Sequence, residues 1–414
     1  MIKWLYGTSI KGYGFLLHLA AFFGNEKARK WIDGRKAWSN ALLKAITPNT
    51  SWIWFHCASL GEFEQGRPLM EAYRKKYPDK KLLLTFFSPS GYEIRKNYPG
   101  ADHVCYLPLD TAANAEKFLD IVQPEKVFFI KYEFWFNLLE AAVQRNIPVY
   151  LVAAIFRPGQ WFLQPYAKHL ASTLKKVTRF FVQDEGSKKI LLDNGIQNVT
   201  LAGDTRFDRV IQIAENFSDI NGIREWKGDN FLIVAGSTWL ADEELLLDAF
   251  VQQSHSVKLI LVPHETDESH LLQLKRLLEK KGLLQTAVFF SEQALPFDVS
   301  SSILIVDTIG LLSRLYRYAD MAHIGGGFGV GIHNSLEAAV YGIPLSWGPN
   351  YRKFREANGL LEVGAAKAVS KSSTLSDYIT GLRSNPEIRK QKGELAKAFV
   401  YQHHGASELI LEYV

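Results

Sequence analysis

The sequence runs Gly325-Gly326-Gly327-Phe328-Gly329-Val330-Gly331-Ile332-His333-Asn334-Ser335-Leu336-Glu337 directly after a short apolar segment, residues 321–324, that has the composition of a buried strand. Five glycines within seven positions let a backbone pass close to a ligand and adopt positive φ. Asn334 is then placed to cap a helix carrying Leu336, Ala339 and Val340, which Gly342-Ile343-Pro344 ends. Strand, glycine loop and helix start together gather free N–H groups and the positive end of a helix dipole. That arrangement suits an anion, most often a phosphate. The same letters have a plainer reading, because Asn334-x-x-Glu337 has the spacing of a capping box in which Glu337 only ties down its own helix. Glycine-rich turns of this kind also occur in α/β proteins that bind nothing there. The spacing is not G-x-G-x-x-G, which speaks against a nicotinamide dinucleotide.

Outward from this stretch, strand-like apolar runs alternate with helical patterns. They fall at 52–55, 82–85, 104–107, 127–130, 149–152, 180–182 and 199–202, with helices between most of them, as at 66–76 and 112–121. A polar stretch from 203 to 229 interrupts the alternation, which restarts at 232–235, 259–262, 288–290, 303–306, 321–324 and 344–346. Near-continuous apolar strands separated by helices predict parallel sheets covered on both faces. The expected fold is α/β, two Rossmann-like domains with a central cleft, over residues 41–205 and 206–414. A chain of 414 residues suits two domains.

Composition narrows the function classes. With 47% hydrophobic and 22% charged residues, the chain can build packed cores and is not disordered. A net charge of +5 without an Arg-rich stripe gives no support for nucleic acid. Two cysteines, Cys57 and Cys105, make no disulfide framework and suit a reducing compartment. No C-x-x-C, H-E-x-x-H or D-x-D occurs, so no metal site is expected.

The first 40 residues read as a membrane-associated segment. Residues 13–23 are nearly continuously apolar, but eleven residues of helix span only about 16 Å, roughly half a bilayer core. No small-residue cleavage site follows, so a removed signal peptide is not expected. Lys27, Arg29, Lys30, Arg35 and Lys36, interleaved with Trp31 and Trp38, predict an anchor lying on an anionic membrane surface. An N-terminal helix packed on the body is the other reading.

Loops at the carboxyl ends of strands carry the candidate chemistry. His56-Cys57-Ala58-Ser59-Leu60-Gly61-Glu62-Phe63 places Glu62 at a helix start on that rim, where a carboxylate can serve as general base toward a hydroxyl. Ser59-x-x-Glu62 is also a capping-box pattern, and a helix dipole would lower the pKa of such a carboxylate. Lys131-Tyr132-Glu133-Phe134-Trp135 follows a later strand, with a surface ion pair over an aromatic core as its structural reading. Gly236-Ser237-Thr238, Pro263-His264-Glu265 and Asp307-Thr308-Ile309-Gly310 hold the equivalent places in the second half. A lone His264 also reads as a satisfied polar residue. Their convergence on one rim is the stronger signal.

Taken in order, these motifs resemble the 3-deoxy-D-manno-octulosonic acid (Kdo) transferases, which move Kdo from CMP-Kdo to the lipid A precursor. The resemblance runs through the apolar N-terminus, residues 56–63, Thr85-Phe86-Phe87-Ser88-Pro89-Ser90, Leu107-Pro108-Leu109-Asp110, Glu133-Phe134-Trp135, residues 203–207, Ala235-Gly236-Ser237-Thr238, Leu261-Val262-Pro263, residues 325–337 and Gly348-Pro349. It implies an inverting, metal-independent transferase of GT-B type in lipopolysaccharide core biosynthesis, without cofactor. The nucleotide is expected in the C-terminal half and the acylated glucosamine disaccharide acceptor in the N-terminal half, at the cytoplasmic face of the bacterial inner membrane. By resemblance Glu62 is the general base, and Arg206 stands where relatives carry a lysine that steadies transition-state charge. Asn334, Ser335, Leu336 and Glu337 match the segment holding the CMP ribose and phosphate, and Ile309, Gly310 and Leu311 the loop beside the base. Two departures stand out. Lys131 replaces the first glutamate of Glu-x-Glu, and His264-Glu265 replaces the Arg-His that follows the proline. The competing readings are another GT-B lipid glycosyltransferase with a different nucleotide sugar, and a non-catalytic nucleotide-binding or membrane scaffold protein.

Overall fold

The computed structural model describes residues 2–47, 50–131, 134–253, 256–292 and 297–414, and the chain divides into two compact units. The first comprises residues 1–209 with 404–414, the second residues 210–403. Each is built on a seven-stranded parallel sheet.

In the first unit the strands are β1 (Trp52–Cys57), β2 (Lys81–Phe86), β3 (His103–Tyr106), β4 (Lys126–Ile130), β5 (Val149–Ala154), β6 (Arg179–Val182) and β7 (Val199–Leu201). Their order is β3-β2-β1-β4-β5-β6-β7. Alternate side chains feed cores on opposite faces, Ile53 and Phe55 packing with Leu69 and Phe128, Trp52 and Trp54 with Phe118 and Leu139. This double burial is why the strands lack a polar alternation. Strand order reverses between β1 and β4, so the loops after these strands flank the switch point where α/β sheets bind ligands. The helix Leu60–Lys76 begins directly after β1. A Cβ at Gly66 would lie 2.8 Å from Ile130 Cγ1, so only glycine lets this helix lie so close to the end of β4.

The N-terminal helix is longer than its apolar core suggested, spanning Ile2–Phe22. Trp4, Leu5, Phe15, Leu16, Leu19 and Phe22 are exposed, Phe22 to 83%. At 3.6 residues per turn these six fall within a stripe about 120° wide. The opposite side docks on the first unit. There Tyr6 donates to Asp110 Oδ2 (2.6 Å), while Asp110 also accepts the Asn137 and Leu138 N–H groups that open the helix Phe136–Gln144. Burial pushes the Asp110 carboxyl up to about 6, against these three hydrogen bonds. Arg35, expected among the membrane-facing cations, is instead buried, as is Trp31. Its guanidinium donates to the carbonyls of Leu107 (2.8 Å), Trp31 (3.0 Å) and Phe87 (2.7 Å) and lies over the Trp31 ring. Its fork geometry fits three carbonyls, which a lysine could not satisfy at once. Lys27, Arg29, Lys30 and Lys36 remain exposed. Among the described residues no helix is long and apolar enough to cross a membrane.

The second unit holds β8 (Phe231–Thr238), β9 (Val257–Pro263), β10 (Ala287–Phe289), β11 (Ile303–Ile305), β12 (Met321–Ile324), β13 (Leu345–Trp347) and β14 (Ala366–Ala368), ordered β10-β11-β9-β8-β12-β13-β14. Its switch point lies between β8 and β12, and the glycine stretch follows β12 directly. One expectation is corrected at the end of the chain. The helix Ala406–Glu412, assigned from sequence to the second domain, belongs to the first unit, where Ile410 and Leu411 are buried with Leu69, Met70 and Tyr73.

Candidate functional site

At the first switch point Glu62 sits in the third position of the helix Leu60–Lys76, mostly buried at 7% exposure. Its Oε2 accepts from the Ser59 N–H (2.9 Å) and the Ser59 hydroxyl (3.2 Å), so the capping box is real. The expected lowering of its pKa does not follow. Burial raises it, outweighing the Lys131 charge and the hydrogen bonds from Ser59 and Ala58 that pull it down. Desolvation wins because the carboxylate has lost most of its water.

Lys131 directly follows β4, with φ of +69° and its N–H on the Val152 carbonyl (2.7 Å). Beside it in β5, Ala153 is also left-handed at φ +53°. Neither residue is a glycine, and such conformations cost on the order of 1–3 kcal/mol each. Strain at this place fits a demand on where the Lys131 side chain goes. Tyr132 and Glu133 lie outside the described residues. Arg206 opens the helix Arg206–Glu215 and is tied to buried Asp204, its Nε and Nη2 lying 2.8 and 2.7 Å from Oδ2. Its guanidinium is therefore oriented by a carboxylate within its own unit.

Beneath this rim lies a hydrogen-bonded aromatic layer. The indole Nε1–H of Trp135 donates to His56 Nε2 (3.0 Å), which leaves the ring hydrogen on Nδ1, facing Thr85 Oγ1 at 2.9 Å. Burial, aided by Arg35 and opposed by Thr85, pushes His56 down to about 3. It stays neutral and orients Trp135, whose ring packs at a tilt against Phe87.

In the second unit, Gly326 has φ of +87° and donates its N–H to buried Asp242 Oδ2 (2.9 Å), fastening the glycine loop to the first turn of the helix Leu240–Val251 that follows β8. Burial favours the protonated form of Asp242, but His323 and the N–H groups of Gly326 and Trp239 prevail and hold its pKa below the usual carboxylate value. The helix that follows is a single turn, Leu336–Ala339, with Ser335 rather than Asn334 at its N-cap. So short a helix has little macrodipole; the donors come from the loop's own backbone. Asn334 Oδ1 accepts from the Leu336 N–H (3.1 Å), and its Nδ2 donates to Glu337 Oε1 (3.0 Å). The Ser335 hydroxyl is fully buried and has no partner among the described residues. Glu337 lies close enough to buried Tyr316 to add to the effect of burial in raising that phenol far above its ordinary value.

Of the other expected residues, Ile309 is 93% exposed and precedes Gly310 at φ +95° and Leu311. Glu265 is exposed. His264 is joined to two residues that the sequence reading did not single out. Its ring lies between those of Trp239, at a tilt of 34°, and His333, on which it stacks, and the Trp239 indole donates to His333 Nε2 (3.1 Å). Asp242 was missed too, although Trp239-x-x-Asp242 has the spacing of the returning half of a capping box. Among the described residues no group of three or more His, Cys, Asp or Glu is gathered for a metal ion.

The sequence profile of the family described as 3-Deoxy-D-manno-octulosonic-acid transferase (kdotransferase) matches residues 32–209. A 3-deoxy-D-manno-octulosonic acid transferase of Haemophilus influenzae is 25% identical over 89% of this chain and 87% of its own. One of Chlamydophila psittaci is 28% identical over 85% and 83%. Among solved structures, a UDP-GlcNAc 2-epimerase from Neisseria meningitidis covers 87% of this chain and 98% of its own, with a TM-score of 0.61 at 16% identity. That likeness concerns the fold, two Rossmann-like units of GT-B type.

Proposed function

We infer from the chain's similarity to Kdo transferases over most of its length that it is an inverting glycosyltransferase that moves Kdo from CMP-Kdo to the acylated glucosamine disaccharide of the lipid A precursor. The observation that carries the reading is the pairing of Glu62 with Lys131 at the first switch point. A carboxylate whose pKa burial has raised is a better match to a sugar hydroxyl at neutral pH than an ordinary surface glutamate. The nearby ammonium opposes that rise. Glu62 takes the proton of the attacking hydroxyl as the new bond forms to the anomeric carbon of Kdo. CMP leaves from the opposite face, which inverts that centre.

The second unit is assigned the nucleotide. Loop N–H groups of residues 325–334, together with Asn334 and Glu337, are suited to a phosphate and ribose, and Ile309 to Leu311 to the base. Arg206, oriented by Asp204, is the cation assigned to charge developing on the leaving phosphate. The apolar stripe of the N-terminal helix, with Lys27, Arg29, Lys30 and Lys36 after it, supports seating on an anionic membrane at the cytoplasmic face of the inner membrane. There the enzyme meets its acyl-chain substrate.

The test is a reaction of the full chain with CMP-Kdo and the detergent-dispersed lipid A precursor, products weighed by mass spectrometry. An acceptor heavier by one or more Kdo residues is expected. Binding of CMP-Kdo without any product would overturn the assignment of acceptor.

A further inference from the structure

Three ring side chains from three separate loops of the second unit, Trp239, His264 and His333, stack beside the switch point between β8 and β12. Ring centroids lie 4.9 Å apart for Trp239 and His264, and 4.3 Å apart for His264 and His333, the latter pair inclined by only 27°. The backbone under each ring is fixed. Asp242 Oδ2 accepts from both the Trp239 and the Gly326 N–H, each at 2.9 Å. The His264 N–H donates to the Thr238 carbonyl (2.9 Å), and that of His333 to the Gly325 carbonyl (3.0 Å). The His333 ring consequently lies over the first turn of the glycine loop, its Cδ2 only 3.0 Å from where a Cβ on Gly326 would stand.

One hydrogen bond decides the chemistry of that ring. An indole N–H can only donate, so His333 Nε2, 3.1 Å from Trp239 Nε1, is an acceptor. The neutral imidazole therefore carries its hydrogen on Nδ1. Burial and the neighbouring His264 lower the His333 pKa, with Asp242 opposing, so the ring is neutral at neutral pH. None of its hydrogen bonds among the described residues uses Nδ1. The result is an oriented N–H donor on a half-buried ring folded over a glycine loop. It stands stacked on His264, which occupies the place where the family resemblance leads one to expect an arginine.

We propose that the Nδ1–H of His333 binds the phosphate of the donor nucleotide, and that Trp239 is the positioning residue that fixes the tautomer making this possible. The proposal rests on the reading of the glycine loop as the donor site. In this chain a neutral, directed N–H does work for which a mobile cation would otherwise serve. Selectivity for phosphate then comes from geometry rather than net charge.

The experiment measures calorimetric binding of CMP and of cytidine to the full chain and to three variants. The amide nitrogen of asparagine reaches the place of a histidine Nδ1, and that of glutamine the place of Nε2. H333N is therefore expected to keep CMP affinity within a few fold of the parent, and H333Q to lose about ten- to a hundredfold. Cytidine, which lacks the phosphate, is expected to bind all forms alike. W239F keeps an aromatic ring in the stack but removes the donor. It should lose most of the preference for CMP over cytidine, and ¹⁵N NMR should show the His333 hydrogen no longer confined to Nδ1. Equal losses in H333N and H333Q, parent-like CMP binding by H333Q, or a parallel fall in cytidine affinity would overturn the proposal. A parent protein that binds no CMP at all would overturn the donor-site reading itself, and the proposal with it.

Discussion

Glu62 and Lys131 flank the point where strand order in the first sheet reverses, one following β1 and the other directly following β4, and the Lys131 charge acts on the Glu62 carboxyl. The helix bearing Glu62 reaches that position because Gly66, one turn further on, lets it lie against Ile130, the neighbour of Lys131 in sequence. Burial raises the carboxyl pKa and the ammonium restrains the rise.

A pH profile follows from that opposition. Glu62 must be ionised to accept a proton, and removing the Lys131 charge lets burial raise its pKa further. K131M should move the acidic limb of the kcat/KM profile to higher pH, with activity at high pH recovering toward the parent. An unmoved limb would show that Lys131 does not act on the base.

The N-terminal helix gives a second prediction. Phe15, Leu19 and Phe22 are exposed, so replacing all three by serine should leave the melting temperature within a few degrees of the parent, since little packed surface is lost. Sedimentation with anionic vesicles should fall sharply, leaving a salt-sensitive remainder from Lys27, Arg29, Lys30 and Lys36. Undiminished sedimentation would remove the stripe as the anchor. Deleting the whole helix is a poorer test, because Tyr6 is bonded to Asp110 in the body of the unit.

Asp110 makes that junction pH-dependent. Its carboxyl titrates near 3.8 when unperturbed and at about 6 in the fold. Between those values the folded chain holds a proton that the unfolded chain has released, so this group's contribution to stability falls as pH rises from about 4 to about 6. D110N cannot accept from both helix N–H groups and should melt lower. The gap between parent and variant should narrow across that window and stay level above it. A gap that is constant from pH 4 to 7 would contradict the raised pKa.

E337A tests the nucleotide site. Loss of one charge-assisted hydrogen bond to the ribose should weaken CMP binding by about ten- to a hundredfold. Unchanged CMP affinity with a lower melting temperature would mean that Glu337 only holds Asn334.

Much of this was legible in the sequence, and the exceptions are instructive. Both sheets could be read because their strands are buried on two faces and so stand out as apolar runs. β14 could not, since Ala366-Lys367-Ala368 carries no such run and pairs only at a sheet edge. The glycine stretch was placed correctly after its strand, yet its helix shrank to one turn, a boundary that tertiary packing sets. For Glu62 the local rule of a helix dipole pointed downward in pKa, and burial, which is not local, prevailed. The stack of Trp239, His264 and His333 joins positions 25 residues apart for the first two and 69 apart for the last two, and no single-segment pattern reveals it. Arg35 was misread for the same reason, its cation turned inward onto three carbonyls.

The most direct test of the account is the turnover of E62Q measured beside its melting temperature and its affinity for CMP. Glutamine can still accept from the Ser59 N–H, so the cap and the fold should survive, and CMP binding, assigned to the other unit, should be unchanged. Kdo transfer should fall by roughly 10²–10⁴, the worth of a general base. Turnover within a few fold of the parent would contradict the assignment and leave Glu62 as a helix cap.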